Sequence, residues 1–210
     1  MKIQLIDINR NNFHISATEI RKNPYKNWFF IPKYVREFFV LKVAIIGSEH
    51  SGKTNLAHKL SNYYNTTDNT IDQRVYKAEL QNHIENMQYS DYSNIAYEHN
   101  RRILESVKNA DKLTFIDTEF SSLQTFSIIQ NYQKNLVIED LIKHSSFDIL
   151  IYIEKEINSK NEKSEFDNIL QHLLKKNNQK FIKLFYKNNK SLTENYIKSI
   201  EIINKYLEIN

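Results

Sequence analysis

The 210-residue sequence contains no cysteine, only two glycines and two prolines, and a single tryptophan. Without cysteine the chain can form no disulfide bond and offers no thiolate to a metal ion, which fits a reducing compartment. No run approaches the roughly eighteen apolar residues of a membrane-spanning helix. The first residues carry charge too early for a signal peptide. These absences predict a soluble, cytoplasmic protein.

The shortage of glycine is informative, because average usage would give about fifteen glycines in a chain of this length. The two that remain, Gly47 and Gly52, both stand in the segment GSEHSGKT over residues 47–54. Glycine is needed where the backbone approaches another group closely or adopts a positive φ. The pairing of both glycines in one short segment therefore indicates a loop that contacts a ligand.

This segment fits the phosphate-binding pattern G-x-x-x-x-G-K-[ST], and its neighbours supply the required context. Residues 42–46 form a short, β-branched apolar run typical of a buried parallel strand, and residues 55–64 carry apolar side chains at helical spacing. A strand, a loop and a helix follow one another in the order of a P-loop. The sequence therefore predicts an ATP site in which backbone N–H groups and a helix N-terminus face the phosphates.

Two side chains of the loop have separate predicted roles. Lys53 would reach the β- and γ-phosphates of ATP. The hydroxyl of Thr54 would ligate Mg²⁺, which takes only one or two protein oxygens and otherwise keeps water and phosphate. The predicted nucleotide-binding residues are Gly47, Ser48, Glu49, His50, Ser51, Gly52, Lys53 and Thr54.

The chain divides into two predicted parts, a short helical appendage over residues 1–40 and an α/β domain over residues 41–210. In the second part, apolar runs predict strands at 112–117, 148–153 and 180–185 after the first strand, and helical spacing predicts helices at 92–109, 121–130, 137–143, 163–176 and 192–207. Together with the P-loop pattern, this alternation predicts a three-layer α/β P-loop fold with a parallel sheet. The place of a fifth strand is left open, with residues 64–76 as the candidate segment.

Two carboxylates mark the end of the strand at 112–117. Asp117 stands where P-loop proteins place the carboxylate that holds Mg²⁺, because adjacent parallel strands end at one crevice. Glu119 could accept a proton from a substrate hydroxyl, hold a ribose, or act as a charge at a helix N-terminus. The net charge of +4 comes from scattered lysines, so nucleic acid is not an expected partner.

Three segments, in the same order, resemble the ribosylnicotinamide kinase domain of NadR proteins. They are residues 44–54, residues 88–99 with the run QYSDY and then Ile95, Ala96 and His99, and residues 115–126. The resemblance covers about residues 42–155. It implies ATP-dependent phosphorylation of the 5′-hydroxyl of nicotinamide riboside in NAD salvage. Lys53, Asp117 and Glu119 are then the candidate catalytic residues, with Arg74 and Glu119 as candidate substrate contacts, although Arg74 is equally well explained as a surface charge.

The first part of the chain resembles a different piece of NadR. Its segment ISATEIR over residues 15–21 is similar to the motif that closes the adenylyltransferase domain, which would give Ser16, Thr18 and Arg21 roles in phosphate binding. The rest of such a site needs an upstream H-x-G-H motif, and glycine occurs only at 47 and 52. The sequence therefore favours a helix capping box between Ser16 and Glu19. A separately encoded adenylyltransferase half is an open partner.

The resemblance fails at the lid. NadR proteins follow the strand that matches residues 148–153 with a segment like W-V-D-D-G-x-R, whereas this chain reads EKEINSKNEK over residues 154–163. An arginine that neutralises transition-state charge can be worth several powers of ten in rate, and Lys160 or Lys163 lacks its bidentate fork. We therefore expect slow phosphoryl transfer with competing ATP hydrolysis. The alternatives are a nucleotide-binding sensor without transfer and a fragment of a split bifunctional protein.

Overall fold

A five-stranded parallel sheet forms the centre of the computed structural model, which describes residues 14–48, 50–70, 87–155 and 164–208. The strands are β1 (Leu41–Gly47), β2 (Asp68–Thr70), β3 (Leu113–Asp117), β4 (Ile149–Lys155) and β5 (Ile182–Tyr186). Their order across the sheet is β2-β3-β1-β4-β5, and every neighbouring pair is parallel. The first strand is therefore central, and the chain builds outward from it on both sides.

The helices connect and cover these strands. They are α1 (Ala17–Lys22), α2 (Lys53–Tyr64), α3 (Tyr89–Asn109), α4 (Phe120–Asn131), α5 (Leu136–His144), α6 (Glu165–Lys176) and α7 (Asn189–Leu207), with two 3-10 turns at Trp28–Phe30 and Lys33–Phe38. The strands and helices predicted from apolar runs and helical spacing are all confirmed, with small shifts at their ends. Within the described ranges, no helix has the length and apolar character to cross a membrane.

The two faces of the sheet are buried by different helices. Ala44, Ile46 and Tyr152 point to the face covered by α3, α4, α5 and α6. Their neighbours along the same strands, including Ile45 and Ile151, point to the face covered by α2 and α7. Burial on both faces explains why β1, β3 and β4 read as largely apolar runs rather than as alternating ones. The predicted three-layer α/β arrangement is confirmed.

The fifth strand lies within the segment 64–76 that the sequence left open. β2 is short and polar, and it pairs with β3 from Asp68 opposite Phe115 to Thr70 opposite Asp117. This register places the end of β2 beside the candidate metal ligand. A strand of three polar residues has no hydrophobic pattern of its own, which explains why the sequence could not locate it.

Residues 14–40 pack against the starts of the strands. Trp28 is buried with Ile31 and Val40, and its indole N–H donates to Oδ1 of Asp111 across 2.7 Å, just before β3 begins. The predicted helical character is found in α1 and the two 3-10 turns. The predicted capping box is confirmed as well, because Ser16 and Glu19 each bond the other's backbone N–H at the N-terminus of α1.

This N-terminal segment also exposes several apolar side chains. Phe29 is 88% exposed and Tyr34 is 90% exposed, and Phe30, Val35 and Phe38 are exposed beside them in the sequence. Single exposed apolar residues are common on protein surfaces, and five within residues 29–38 are more than such a scattering.

Candidate functional site

The loop after β1 has a positive φ and a close approach to neighbouring atoms at both of its glycines. Gly47 has a φ of +151°, and a Cβ atom there would lie 2.4 Å from the carbonyl oxygen of Ile153 in β4. Gly52 has a φ of +83°, and a Cβ atom there would lie 2.6 Å from Cδ2 of Leu192. The first contact is with rigid backbone and the second with the end of a flexible side chain. The expectation of close approach and positive φ is confirmed at both positions.

Between the two glycines the loop is tightly folded. His50 adopts a φ of +60°, and the N–H of Ser51 donates to the carbonyl oxygen of Ser48 across 3.3 Å. The Ser51 hydroxyl is buried and has no hydrogen-bond partner among the described residues. Buried polar atoms are normally satisfied, so such a hydroxyl fits a loop that completes its hydrogen bonds with a ligand. Glu49 lies outside the described residues.

The basic and hydroxyl side chains of the loop stand at the first turn of α2. Nζ of Lys53 donates to the carbonyl oxygen of Ser48 across 3.3 Å, which folds the lysine back over the loop. Oγ1 of Thr54 donates to Oδ2 of Asp117 across 2.5 Å. The last contact follows from the topology, because β1 and β3 are neighbours and Ile45 is in register with Asp117. The predicted loop residues and the predicted carboxylate therefore meet.

Asp117 is almost fully buried. Burial raises the pKa of its carboxyl group, and the hydrogen bond from Thr54 and the charge of Lys53 oppose that rise. A buried carboxylate beside a hydroxyl oxygen is a hard donor set that suits Mg²⁺. The residues present therefore fit the predicted metal ion, and the roles of Thr54 and Asp117 as its ligands stay predictions.

Thr118, which follows this carboxylate, has an unusual backbone conformation. Its φ is +71°, a value that is rare for a β-branched residue. Nε2 of His99, on α3, lies 2.8 Å from the Thr118 carbonyl oxygen. Since a carbonyl oxygen can only accept, Nε2 carries the hydrogen. Burial lowers the pKa of His99 to about 3, so the ring is neutral.

Glu119 begins α4. Its Oε2 accepts from the N–H of Ser121 across 2.7 Å, and its Oε1 accepts from the N–H of Ser122 across 2.9 Å. The side chain is fully buried, which raises its pKa to about 7, while the hydrogen bonds from the two serines oppose the rise. Glu119 therefore lies at a helix N-terminus, as one of its predicted interpretations expects. Its roles as a proton acceptor or ribose ligand stay predictions.

The sequence patterns assigned no role to His99, although this residue lies in one of the segments that resemble NadR. The available signal was its place on the buried face of α3, with Tyr92, Ile95, Ala96 and Ile103. Two predicted features cannot be placed, because Arg74 and residues 156–163 at the lid position lie outside the described residues. The structure thus brings the loop residues and Asp117 together, and their roles toward nucleotide and metal stay predictions.

Curated relatives match most of this chain. The trifunctional NAD biosynthesis/regulator protein NadR of Escherichia coli K12 is 33% identical over 214 residues, which cover 97% of this chain and 52% of the relative. The protein of the same name from Salmonella typhimurium LT2 is 36% identical over 189 residues, covering 85% of this chain and 46% of the relative. The chain is a homologue of NadR. It spans about half the length of these NadR relatives, and no protein-family model matches it.

Solved structures agree on the fold. A NadR protein in complex with NR is 20% identical, with a TM-score of 0.81 over 96% of this chain and 60% of that chain. A NadR protein in complex with NAD and AMP-PNP gives a TM-score of 0.78, also at 20% identity. A thymidylate kinase from Ehrlichia chaffeensis gives 0.58 at 16% identity, over 78% of this NadR homologue. The predicted P-loop kinase fold is confirmed.

Proposed function

We propose that this chain is an ATP-dependent kinase that phosphorylates the 5′-hydroxyl of nicotinamide riboside. The observation that carries the proposal is the contact between Thr54 and Asp117 beside Lys53, which combines a hydroxyl, a carboxylate and an ammonium group at the end of a phosphate-binding loop. The homology to NadR, together with a NadR structure in complex with NR, supports the choice of substrate.

The proposed reaction is an in-line transfer. The substrate hydroxyl oxygen bonds to the γ-phosphorus of ATP, the bond from that phosphorus to the bridging oxygen breaks, and ADP leaves. Bound Mg²⁺ would neutralise charge on the phosphates. Lys53 would hold the β- and γ-phosphates, and Thr54 and Asp117 would hold the metal. The hydroxyl proton passes to a carboxylate, for which Glu119 is the candidate because Asp117 would hold the metal.

Two hydrogen bonds restrain Glu119 in this role. Both of its oxygens already accept N–H groups of α4, and the side chain is fully buried. Arg74 and Glu119 remain the proposed substrate contacts. We also keep slow transfer with competing ATP hydrolysis as part of the proposal, because the sequence at 154–163 departs from the NadR lid.

Two further proposals concern the setting of the reaction. A separately encoded adenylyltransferase half is a proposed partner, supported by the resemblance of residues 15–21 to the motif that closes that domain in NadR. A cytoplasmic location is proposed from the absence of cysteine. Neither bears on the chemistry of the phosphate loop.

Calorimetry with ATP and Mg²⁺ tests the nucleotide site. We expect Lys53→Ala to weaken ATP binding by tenfold or more, since the phosphates lose the cation of the loop. Lys59→Ala is the matched control, because Lys59 lies on the exposed face of the same helix. Unchanged ATP binding in Lys53→Ala would overturn the assignment of the loop.

Product formation then separates a kinase from a sensor. Separate titrations with ATP and nicotinamide riboside, followed by chromatography of a mixture of both, should show that both bind and that the mononucleotide and ADP appear together. Binding of ATP without any phosphorylated product would overturn the kinase and support the sensor.

A further inference from the structure

Thr118 connects two buried carboxylates in a conformation that threonine avoids. It lies between Asp117 and Glu119, and its φ is +71°. A non-glycine residue held in a sparsely populated region of this kind is strained and persists only where its surroundings enforce it. The directions of both neighbouring carboxylates depend on this one residue, because they are attached through its backbone.

Three hydrogen bonds hold Thr118 in place. Its N–H donates to the carbonyl oxygen of Ile45 across 3.1 Å, which extends the pairing of β3 with β1 by one residue. Its hydroxyl lies 3.4 Å from Oδ1 of Asp117, at the long limit for a hydrogen bond. The carbonyl oxygen accepts from Nε2 of His99 across 2.8 Å. The first is a bond between backbone groups and the second is long. The bond from His99 is therefore the one side-chain hydrogen bond of normal length among these three.

The histidine is not explained by packing alone. It is 1% exposed, and the ring of Phe120 meets it edge-on with 5.3 Å between ring centroids. Its second ring nitrogen, Nδ1, is buried and has no hydrogen-bond partner among the described residues. A buried nitrogen of that kind costs free energy that a leucine or methionine would avoid. The hydrogen that Nε2 donates to Thr118 is therefore the contribution that an apolar residue could not make.

We propose that His99 is a positioning residue for the metal site. It holds the Thr118 peptide in the left-handed conformation and so keeps the Asp117 carboxylate against Thr54. This inference rests on the proposed function, since it concerns the residues assigned to Mg²⁺. Replacing residues that orient metal ligands without touching the metal typically lowers metal affinity or activity by about 10–100-fold.

The test uses the full chain and two substitutions that differ in one property. His99→Met fills the space without a donor, and His99→Gln can place an amide N–H near the position of Nε2. ATP binding is measured by calorimetry over a range of Mg²⁺ concentrations and again with a chelator, with thermal melting in parallel. We expect His99→Met to raise the Mg²⁺ concentration that gives half-maximal ATP binding by about tenfold or more. In His99→Gln this concentration should return most of the way to the wild-type value.

A double substitution tests the route of the effect. Glycine adopts a positive φ without strain, so in a Thr118→Gly background His99 has less to hold in place. We expect His99→Met to change the half-maximal Mg²⁺ concentration less than about threefold in that background. An equally large effect with and without Thr118→Gly would overturn the proposed route through the Thr118 backbone.

The outcomes separate this inference from the proposed function. If ATP binding by the wild-type chain does not depend on Mg²⁺, both the inference and the proposed function are overturned. If ATP binding by the wild type depends on Mg²⁺ and His99→Met lowers only the melting temperature, the proposed metal site stands. The positioning role of His99 is then overturned. If His99→Met does not fold, the imidazole NMR signals of wild-type His99 decide: they should shift when Mg²⁺ is added to the ATP complex, and unchanged signals overturn the inference.

Discussion

The hydroxyl of Thr54 and the carboxylate of Asp117 are 2.5 Å apart, although 63 positions separate them in the sequence. This bond connects the first turn of α2 to the end of β3. A hydroxyl has one hydrogen and two lone pairs. Thr54 can therefore donate to the carboxylate and still present a lone pair to a cation, so the contact is compatible with a bound Mg²⁺.

The first prediction separates the hydroxyl from the shape of the side chain at position 54. Thr54→Val keeps the shape and removes the oxygen, whereas Thr54→Ser keeps the oxygen. We expect Thr54→Val and Asp117→Asn to reduce Mg²⁺-dependent ATP hydrolysis and transfer by a factor of a hundred or more, judged from losses at charge-stabilising positions. Thr54→Ser should retain most of both activities in a coupled ADP assay. Full activity in Thr54→Val would rule out this residue as a metal ligand.

The second prediction compares the two glycines. Gly47→Ala should abolish ATP binding, because its methyl group would meet the rigid backbone of Ile153. Gly52→Ala meets only the side chain of Leu192, so its steric part should be relieved by Leu192→Ala while the strain at positive φ, about 1–3 kcal/mol, remains. Calorimetry measures the ATP affinity of Gly47→Ala, of Gly52→Ala and of the double variant Gly52→Ala with Leu192→Ala. Normal ATP affinity in Gly47→Ala would show that β4 can move away from the loop.

Sequence patterns predicted the strands that are buried on both faces, because continuous apolar runs leave few alternatives. They failed to place β2, whose residues Asp68–Thr70 carry no apolar pattern and depend on pairing with β3. The loop and Asp117 were predictable from the P-loop pattern and from the parallel topology. The contact from His99 to Thr118 was not, because a positive φ at threonine is imposed by the fold and leaves no mark in composition or spacing.

The third prediction concerns pH and Glu119. Burial raises its pKa in the folded protein to about 7 from an ordinary value of 4.5, so the folded state binds the proton more tightly than the unfolded state. The free energy of unfolding must then fall as pH rises from 4.5 to about 7. Glu119→Gln cannot ionise, so it should gain stability relative to wild type over this window, by about 2–3 kcal/mol.

Urea unfolding at a series of pH values measures this difference, and Glu105→Gln is the control because Glu105 is exposed on α3. His99 acts with the opposite sign, since its lowered pKa makes stability fall as pH decreases below 6.5. The comparison of Glu119→Gln with wild type cancels that contribution. A stability difference that stays constant across pH would show that Glu119 ionises normally inside the fold.

The fourth prediction concerns the N-terminal segment. Trp28→Phe keeps an aromatic ring and removes the N–H that donates to Asp111, and we expect a loss of about 1–2 kcal/mol in the free energy of unfolding. Asp111→Asn keeps an acceptor oxygen and should cost less. Chemical unfolding of both variants measures the two losses. ATP affinity should be unchanged in both, and a large drop would connect this segment to the phosphate loop.

The hydrogen bond between Trp28 and Asp111 anchors the N-terminal segment at one end of the sheet. Trp28 packs where β1 and β3 begin, and the phosphate loop follows the other end of β1. A strand of seven residues spans about 20 Å, so the two features are separated by the full depth of the sheet. A perturbation at Trp28 would therefore have to pass along the whole of β1 before it reached the phosphate loop.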